Sequence, residues 1–520
     1  MKAPESKKAQ KSKIIFAVAS VLFILTLFTC TELVGLPPKP EYTVTYYLAG
    51  GTGTPPIDDT VYAKGASVFI KSALGASKAG YVFRGWMTDD SLYRYKPGEV
   101  VKITKDLLLK AKWDVFDDPN SNVQPFNVKN ITDGSWYTIQ GARIASTDHC
   151  VVYADINDSW ASASQAQELA NTYERYIHTP FQTAFGNYKD VETSGDAKNK
   201  VMLLMVDLID GYTGRGDYAA AVFDETHMRA GTNSNNHDMI FVDTTPGLRF
   251  FDETCVSMAH EMQHLINWSQ TQGLSGPRPK KETWLDEGLS VAAERLYLAA
   301  KNSQEHYQIR SHLDYYNDSF LSSVQKPLNS IARGNTFLVW DDGPDGDLLA
   351  ERATAYLFFE WLRLQSGGTA IFKDIITHNS TGVAGVVAAA RSRITAMSGA
   401  DWTKIYGSWL AANAVNDSSS IYGYKGKFTL ERIAYSSGSG DTRSLLPGEF
   451  VQSQISMTGD RSPAQTQGSG SNHIFYIGIS SANVVDIDFN NTVTGKYAIS
   501  FNANTAINGS AEMGSVLGLF

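Results

Sequence analysis

His260-Glu261-Met262-Gln263-His264 is the stretch of this 520-residue chain around which the fold is predicted to be organised. Residues 252–268 carry apolar side chains at helical spacing, which predicts one helix: Val256, Ala259, Met262, Leu265 and Ile266. Positions i and i+4 of an α-helix share a face, so His260 and His264 can bind one metal ion together. Glu261 lies one position along, where it can poise a metal-bound water without coordinating the ion. The stretch therefore predicts a metal site on a helix.

A second segment, WLDEGLS at 284–290, contains Glu287 and lies in a predicted helix over residues 283–298. Glycines and prolines between the two helices predict a loop over residues 269–282 that turns the chain back. A buried Glu is costly unless it is paired or bound to metal, which favours a ligand role for Glu287. Cysteine ligands, typical of structural zinc, are absent nearby except for Cys255. Three protein ligands and an open fourth position predict one catalytic zinc ion.

The motif order H-E-x-x-H, then WLDEGLS on the next helix, resembles the glutamate-liganded zincins, and among them the hyicolysin family of secreted bacterial neutral metallopeptidases. Four more stretches follow in the expected order: RIASTDHCVVYAD, VMLLMVDLIDGY, SNNHDMIFVD and YLFFEWLRLQSG. The resemblance covers about residues 120–417. It implies that His260, His264 and Glu287 are zinc ligands. It also implies that Glu261 is the general base that activates a zinc-bound water.

The chain departs from the better-known zincins around the third ligand. The gap between His264 and Glu287 holds 22 residues, which is longer than in thermolysin-like enzymes. Those enzymes place an Asp four residues after the ligand Glu to orient a zinc histidine, and here that position is Val291. Asp286 or Glu294 could take this task, but a solvated helix charge is the favoured interpretation of both.

A donor for the oxyanion that develops during peptide hydrolysis is expected from a later helix. Tyr356 and Arg352 are the candidates, and for Tyr356 a place in the apolar core is the favoured alternative. Residues 238–243 form either the edge strand that pairs with substrate or a plain core strand. The chain lacks the G-x-M-E-N stretch of aminopeptidase N-like enzymes, which favours an endopeptidase.

The N-terminus is expected to carry an export signal. An uncharged apolar run at residues 14–28 follows five lysines: Lys2, Lys7, Lys8, Lys11 and Lys13. Fifteen residues are short for a membrane-spanning helix but normal for a signal-peptide core. Cys30 follows, although Phe28 and Thr29 are larger than the residues usual before a lipidated Cys. Residues 1–30 therefore predict a signal peptide, and a lipid anchor at Cys30 is favoured over plain cleavage or an uncleaved anchor. The chain is expected to be exported and bacterial, as an envelope lipoprotein or extracellular protein.

Two cysteines, Cys150 and Cys255, remain beyond the signal, and they form either a disulfide or two buried free thiols. The net charge of −9 and the lack of a basic cluster beyond the signal argue against a nucleic-acid partner. Protein or peptide substrates are the expected partners.

Composition shifts along the chain predict a multidomain α+β protein. A Pro-rich linker at 31–41 leads into a small β-grasp-like module at 42–113, where YTVTYYLAGGTGTPP, AGYVFRGW and LLLKAKW resemble the internalin-type B repeat. Trp86 and Trp113 are expected in its core. A two-lobed zincin peptidase domain follows at 120–417, with strands first and helices later. Residues 425–520 alternate like short strands and predict a β-sandwich-like accessory domain.

Two functions are therefore considered. The first is an exported zinc endopeptidase. The alternative is a surface adhesin or binding protein on an inactive or weakly active peptidase scaffold, which the B-type repeat and the β-rich C-terminus motivate.

Overall fold

The computed structural model describes residues 41–115, 123–302 and 348–427, apart from 74–75, 79–80, 90–93, 159, 192–197 and 213–217, together with 338, 448, 450–454, 474–479, 485–486 and 497–503. The chain divides into two compact units between Asp114 and Val115. The architecture is mixed α+β, with sheets in the N-terminal part and a helical region after them. The predicted apolar run at 14–28 and Cys30 lie outside the described residues.

The first unit is a small β module. Its strands are β1 Glu41–Tyr42, β2 Val44–Tyr47, β3 Tyr62–Ala63, β4 Ser67–Phe69, β5 Tyr81–Thr88, β6 Arg94–Tyr95, β7 Val100–Lys102 and β8 Leu107–Val115. The first long strand and the last pair in parallel, with Val44 opposite Leu107, in a sheet of order β2-β8-β5-β6. Trp86 and Trp113 are both buried, which confirms them as core residues.

A six-stranded mixed sheet organises the second unit. Its strands are β9 Val123–Lys129, β10 Trp136–Ser146, β11 Cys150–Asp155, β12 Val201–Val206, β13 Ala221–Val222 and β14 Met239–Asp243, in the order β13-β14-β12-β11-β10-β9. β11, β12 and β14 are parallel and almost wholly buried, as expected for strands covered on both faces. β14 pairs on both sides, so it is a core strand. The edge-strand interpretation of residues 238–243 is wrong, and β13 is the edge strand in the described part of the sheet.

Side chains of the parallel strands alternate between two apolar clusters, as the period of two in a strand requires. Val152 and Leu203 face the helices, and the same cluster contains Leu265 of the metal-site segment. Val151 and Leu204 face the opposite side, where they join a smaller cluster with residues of β9 and β10. The sheet therefore has its main core on the helical side, and this side carries the candidate site.

The helices are α1 Ala163–Thr172, a π-helix Tyr173–His178, α2 Thr179–Phe185, α3 Phe251–Thr271, α4 Thr283–Ala300, α5 Leu348–Ser366, α6 Ala370–Thr377, α7 Val383–Arg393 and α8 Trp402–Val415. The two segments predicted as helical, residues 252–268 and 283–298, are confirmed as α3 and α4. α3 runs three residues further than predicted, which shortens the loop before α4. α3 packs on α4, and α4 packs on α5. Within the described part of the chain, none of the helices combines the length and apolar character needed to cross a membrane.

The close packing of α4 on α5 depends on Gly288, the residue after Glu287. A Cβ placed on Gly288 would lie 2.1 Å from Cε2 of Phe359 on α5. Such a contact is far inside van der Waals distance, so only glycine allows this approach. Gly288 thereby allows α4 to lie close to α5 at the residue next to Glu287.

The described C-terminal strands are β15 Phe450–Gln454, β16 Ile474–Ile479, β17 Val485–Asp486 and β18 Tyr497–Asn502. They form one antiparallel sheet of order β15-β18-β16-β17. Phe450 packs edge-to-face on Trp409 of α8, so this sheet adds to the core of the second unit. The β-sandwich-like domain at 425–520 stays a prediction. Cys150 and Cys255 are free and buried, so the free-thiol alternative holds.

Candidate active site

α3 and α4 bring together the three predicted metal ligands. Nε2 of His260 lies 3.3 Å from Oε2 of Glu287, and Nε2 of His264 lies 3.5 Å from Oε1 of the same carboxylate. Two ligand atoms bonded to one tetrahedral zinc ion at about 2.0–2.1 Å lie about 3.4 Å apart. The spacing of these donor atoms therefore fits one small divalent cation.

Two of these donor atoms are buried without a hydrogen bond. Nε2 of His260 and Oε2 of Glu287 have no hydrogen-bond partner among the described residues, and both residues are almost fully buried. Leaving a buried polar atom unpaired costs free energy, and a cation between them would remove that cost. The burial and the donor set thus agree with the distances in fitting a metal ion.

Each of the two predicted ligand histidines contacts a carboxylate through its other nitrogen. Nδ1 of His260 lies 2.7 Å from Oε1 of Glu294, and Nδ1 of His264 lies 3.1 Å from Oδ1 of Asp286. A carboxylate on Nδ1 fixes the tautomer that leaves Nε2 free to bind metal. The interpretation of Glu294 and Asp286 as solvated helix charges is wrong, because Glu294 is only 6% exposed and each contacts a predicted ligand histidine. Val291 is a buried core residue.

Glu261 sits beside this group, with one ligand-type oxygen within 4.8 Å of His260 and His264. Its Oε2 accepts a hydrogen bond of 2.8 Å from the backbone N–H of Phe223, which follows β13. Oε1 has no hydrogen-bond partner in the described part of the protein. Burial raises the pKa of Glu261 above its ordinary value. One oxygen is therefore anchored while the other remains available for proton exchange.

The charge of Glu287 is set by its neighbours. Burial alone would raise the pKa of this carboxyl, but His264, His260 and Arg352 outweigh burial and lower it to about 2. The Arg352 contribution comes through Nη2, which lies 3.6 Å from Oε2 of Glu287. Glu287 is consequently ionised at neutral pH, which is the form that binds a cation.

The two candidate oxyanion donors differ in their placement. Arg352 is brought to Glu287, where it contacts a predicted ligand. Tyr356 is buried, and its pKa is raised by burial and then by Glu360, with Arg295 also near its hydroxyl. Neither Tyr356 nor Arg352 lines the cavity that opens on the site. Tyr356 is therefore a core aromatic, which was the favoured alternative.

A cavity of about 300 Å³ opens onto Glu261, His264 and Glu287. Its walls come from the segment after β13, from the last turns of α3 and from the loop before α4, and include Phe223, Asp224, Thr226, Asn267, Trp268, Lys280 and Lys281. Sequence reasoning missed these residues, since no motif marks them. The hydrogen bond between the Phe223 backbone and Glu261 joins residues 38 positions apart. Because its donor is a backbone N–H, the residue type at position 223 does not predict it.

Residues 42–112 match the family model of the Listeria-Bacteroides repeat domain. A second comparison aligns 228 residues with neutral metalloprotease ShpI of Staphylococcus hyicus at 28% identity, over 42% of this chain and 47% of the relative. Both predicted resemblances are confirmed. The chain spans about half the length of that curated relative. A solved structure of yeast LTA4 hydrolase in complex with bestatin aligns over 65% of each chain, at 14% identity and a TM-score of 0.32.

Proposed function

We propose that this chain is an exported zinc-dependent endopeptidase that hydrolyses peptide bonds in proteins. The observation that carries the proposal is the meeting of His260, His264 and Glu287 at ligand spacing, with Glu261 beside them in an open cavity. The similarity to a neutral metalloprotease supports the same reaction class.

In this proposal His260, His264 and Glu287 hold one zinc ion, while Glu294 and Asp286 orient the two imidazoles. When bound, the ion supplies Lewis acidity, which lowers the pKa of a coordinated water and polarises the substrate carbonyl. The donor set of two imidazoles and one carboxylate is typical of catalytic rather than structural zinc.

Glu261 is the proposed proton carrier. The Phe223 N–H holds Oε2, so Oε1 is the atom that takes a proton from the attacking water. The same proton passes from Oε1 to the amine nitrogen as the peptide C–N bond breaks. The anchored carboxylate keeps one orientation through both transfers, and this limits the cost of reorganisation.

The cavity wall also suggests how a peptide binds. β13 is the edge strand in the described part of the sheet, and the chain after it contacts Glu261. An extended peptide can bind along the edge of a sheet through main-chain hydrogen bonds. Because these bonds do not involve side chains, peptides of many sequences can bind in this way. Ala221 and Val222 of β13 are themselves buried, so we propose that substrate pairs with the segment after β13, where Phe223, Asp224 and Thr226 line the cavity, and not with residues 238–243. This mode of binding suits an endopeptidase.

Export and anchoring belong to the same proposal. Five lysines, the apolar run at 14–28 and Cys30 support transfer across the inner membrane and retention by lipid. The repeat module at 42–112 then separates the peptidase from the bilayer, or binds a surface partner. An adhesin with an inactive scaffold is less favoured, because all four site residues are present and meet in space.

The proposal is tested by measuring casein cleavage by the purified chain before and after zinc removal. Activity should disappear with chelation and return when zinc is restored. A control incubation with the chelator already saturated by zinc separates zinc loss from other effects of the reagent. Undiminished cleavage by a chain shown to be zinc-free would rule the proposal out.

A further inference from the structure

A second cluster of histidine and carboxylate side chains lies outside the candidate active site. His149 precedes β11, and Glu174 and His178 lie on the π-helix. Each offers one ligand-type atom, and the three atoms lie within 4.8 Å of one another. We propose that His149, Glu174 and His178 form a second metal site for a borderline divalent cation of the zinc class.

The helical pair has the spacing of a chelating motif. Glu174 and His178 are four residues apart, so their side chains emerge on the same side of one helical turn. The segment that carries them is a π-helix, a rare element that is concentrated at functional sites. The third residue, His149, lies just before strand β11 of the sheet. Its backbone N–H donates a 3.1 Å hydrogen bond to Oε2 of Glu174. Two separate elements thus converge on one point.

The ring nitrogens are suited to binding. Nδ1 of His149 lies 2.6 Å from Oε1 of Glu174. Nε2 of His178 accepts a 2.9 Å hydrogen bond from Nε2 of Gln182, one turn later, so the neutral ring carries its proton on Nδ1. Turning the Gln182 amide by 180° would let its oxygen accept from Nε2 of His178 and would leave Nδ1 as the ligand atom. In that orientation Gln182 would have the orienting role that a carbonyl group has at many metal-bound histidines.

The two imidazoles are stacked, with ring centroids 3.8 Å apart and planes at 16°. Lone pairs in two parallel rings do not converge, so binding requires one ring to turn. His149 has the freedom to do so, since its side chain is 42% exposed while His178 is nearly buried. The exposed side also provides a path for the ion and a place for a water ligand. Two imidazoles and one carboxylate are the ligand types that zinc, nickel and copper ions prefer.

These donor types also occur at catalytic zinc, but the position of the second site indicates a structural clamp. An ion at this site would tie the β10–β11 turn to the helical segment α1–π–α2. Tyr176 of that segment packs its ring edge-on against Tyr297 of α4, the helix that carries Glu287. A metal that binds only the folded state stabilises it, and the gain grows with free metal concentration. The clamp would therefore stabilise the wall behind the candidate active site without taking part in its chemistry.

Zinc stoichiometry of the full chain, dialysed against micromolar free zinc, tests the site. The wild type should hold two equivalents, and His149→Ala and Glu174→Gln one each. His264→Ala should also hold one, and the His149→Ala/His264→Ala double variant none. His378→Ala, which alters a histidine of neither cluster, should keep two. In the His264→Ala background, zinc should raise Tm, and adding His149→Ala should abolish that rise.

The outcomes separate the two sites. A wild type with one equivalent that His149→Ala leaves in place overturns the second site, and the cluster is then a simple ion pair. Zinc that His264→Ala leaves unchanged but His149→Ala removes supports the second site and overturns the proposed active site. Since His149 and Glu174 are both partly exposed, their variants are expected to fold, and circular dichroism checks this.

Discussion

Nδ1 of His260 lies 2.7 Å from Oε1 of Glu294, on the same helix as Glu287 and seven residues after it. Seven residues are about two helical turns, so both carboxylates project from one face of α4. This face contacts His260 at both ring nitrogens, with Nε2 directed at Glu287. The imidazole is thereby held in one orientation by a carboxylate at each of its ring nitrogens.

Glu294→Gln should weaken zinc binding by about 10- to 100-fold, because the amide is a poorer acceptor for the N–H of His260. The zinc Kd, measured by competition with a chromophoric chelator, checks this. Glu168→Gln changes an exposed Glu on α1 and serves as the matched control. An unchanged Kd for Glu294→Gln would show that the contact does not orient the ligand.

Glu261→Gln should keep zinc at the wild-type stoichiometry while kcat falls by about 10²- to 10⁴-fold. The amide oxygen can still accept the hydrogen bond from Phe223, but it cannot carry a proton at neutral pH. Metal analysis and casein turnover on the same preparation provide the two measurements. Near-normal kcat with zinc in place would remove Glu261 from the mechanism.

Gly288→Ala should destabilise the protein, although Ala is the better helix former by about 0.5–1 kcal/mol. The added methyl would lie 2.1 Å from Cε2 of Phe359, and overpacking of this kind costs about 1–3 kcal/mol. The cost of overpacking therefore exceeds the gain in helix propensity, and Tm should fall. Phe359→Leu combined with Gly288→Ala should recover part of the loss. A Tm at or above wild type for Gly288→Ala alone would contradict the packing of α4 on α5.

Stability should rise with pH through the titration of Lys281, which lines the cavity. Burial, followed by Arg278, lowers its pKa from 10.5 to about 8. The folded chain therefore binds fewer protons at this group than the unfolded chain between pH 8 and 10.5, so unfolding becomes less favourable as pH increases. Below that window the penalty for charging the buried amine is fully present.

Urea unfolding of the wild type and Lys281→Met across this window measures the effect. The difference in free energy of unfolding, wild type minus variant, should increase as pH rises. The variant also loses the hydrogen bonds of 2.7 Å from Nζ to the carbonyls of His378 and Ser380, but that loss shifts the whole curve. A pH-independent difference would show that Lys281 titrates normally.

Cys30→Ser should move the enzyme from the membrane pellet to the soluble fraction with unchanged specific activity. One acyl chain binds membranes only marginally, so retention depends on the several chains that a lipoprotein cysteine carries. Fractionation and a casein assay of both fractions check this. If Cys30→Ser protein stays in the pellet, the apolar run at 14–28 is an uncleaved anchor.

The helices of the second unit could be predicted from the sequence, because their signal is local. Apolar periodicity around residues 252–268 reports which face of a helix is buried, and α3 forms there. The meeting of His260 and His264 follows from helix geometry alone, since four residues make about one turn. The motif at 284–290 likewise placed Glu287 on a second helix.

Contacts between distant segments were decided only by the tertiary structure. Glu294 could be a solvated charge or the partner of His260, and the packing of α4 on α3 selects the second. β14 becomes a core strand because β13 pairs beside it, and its own composition suits either position. His149, between β10 and β11, contacts Glu174 because the π-helix packs beside that turn. Residue type and spacing determine local geometry, whereas the neighbours of a side chain depend on how whole elements pack.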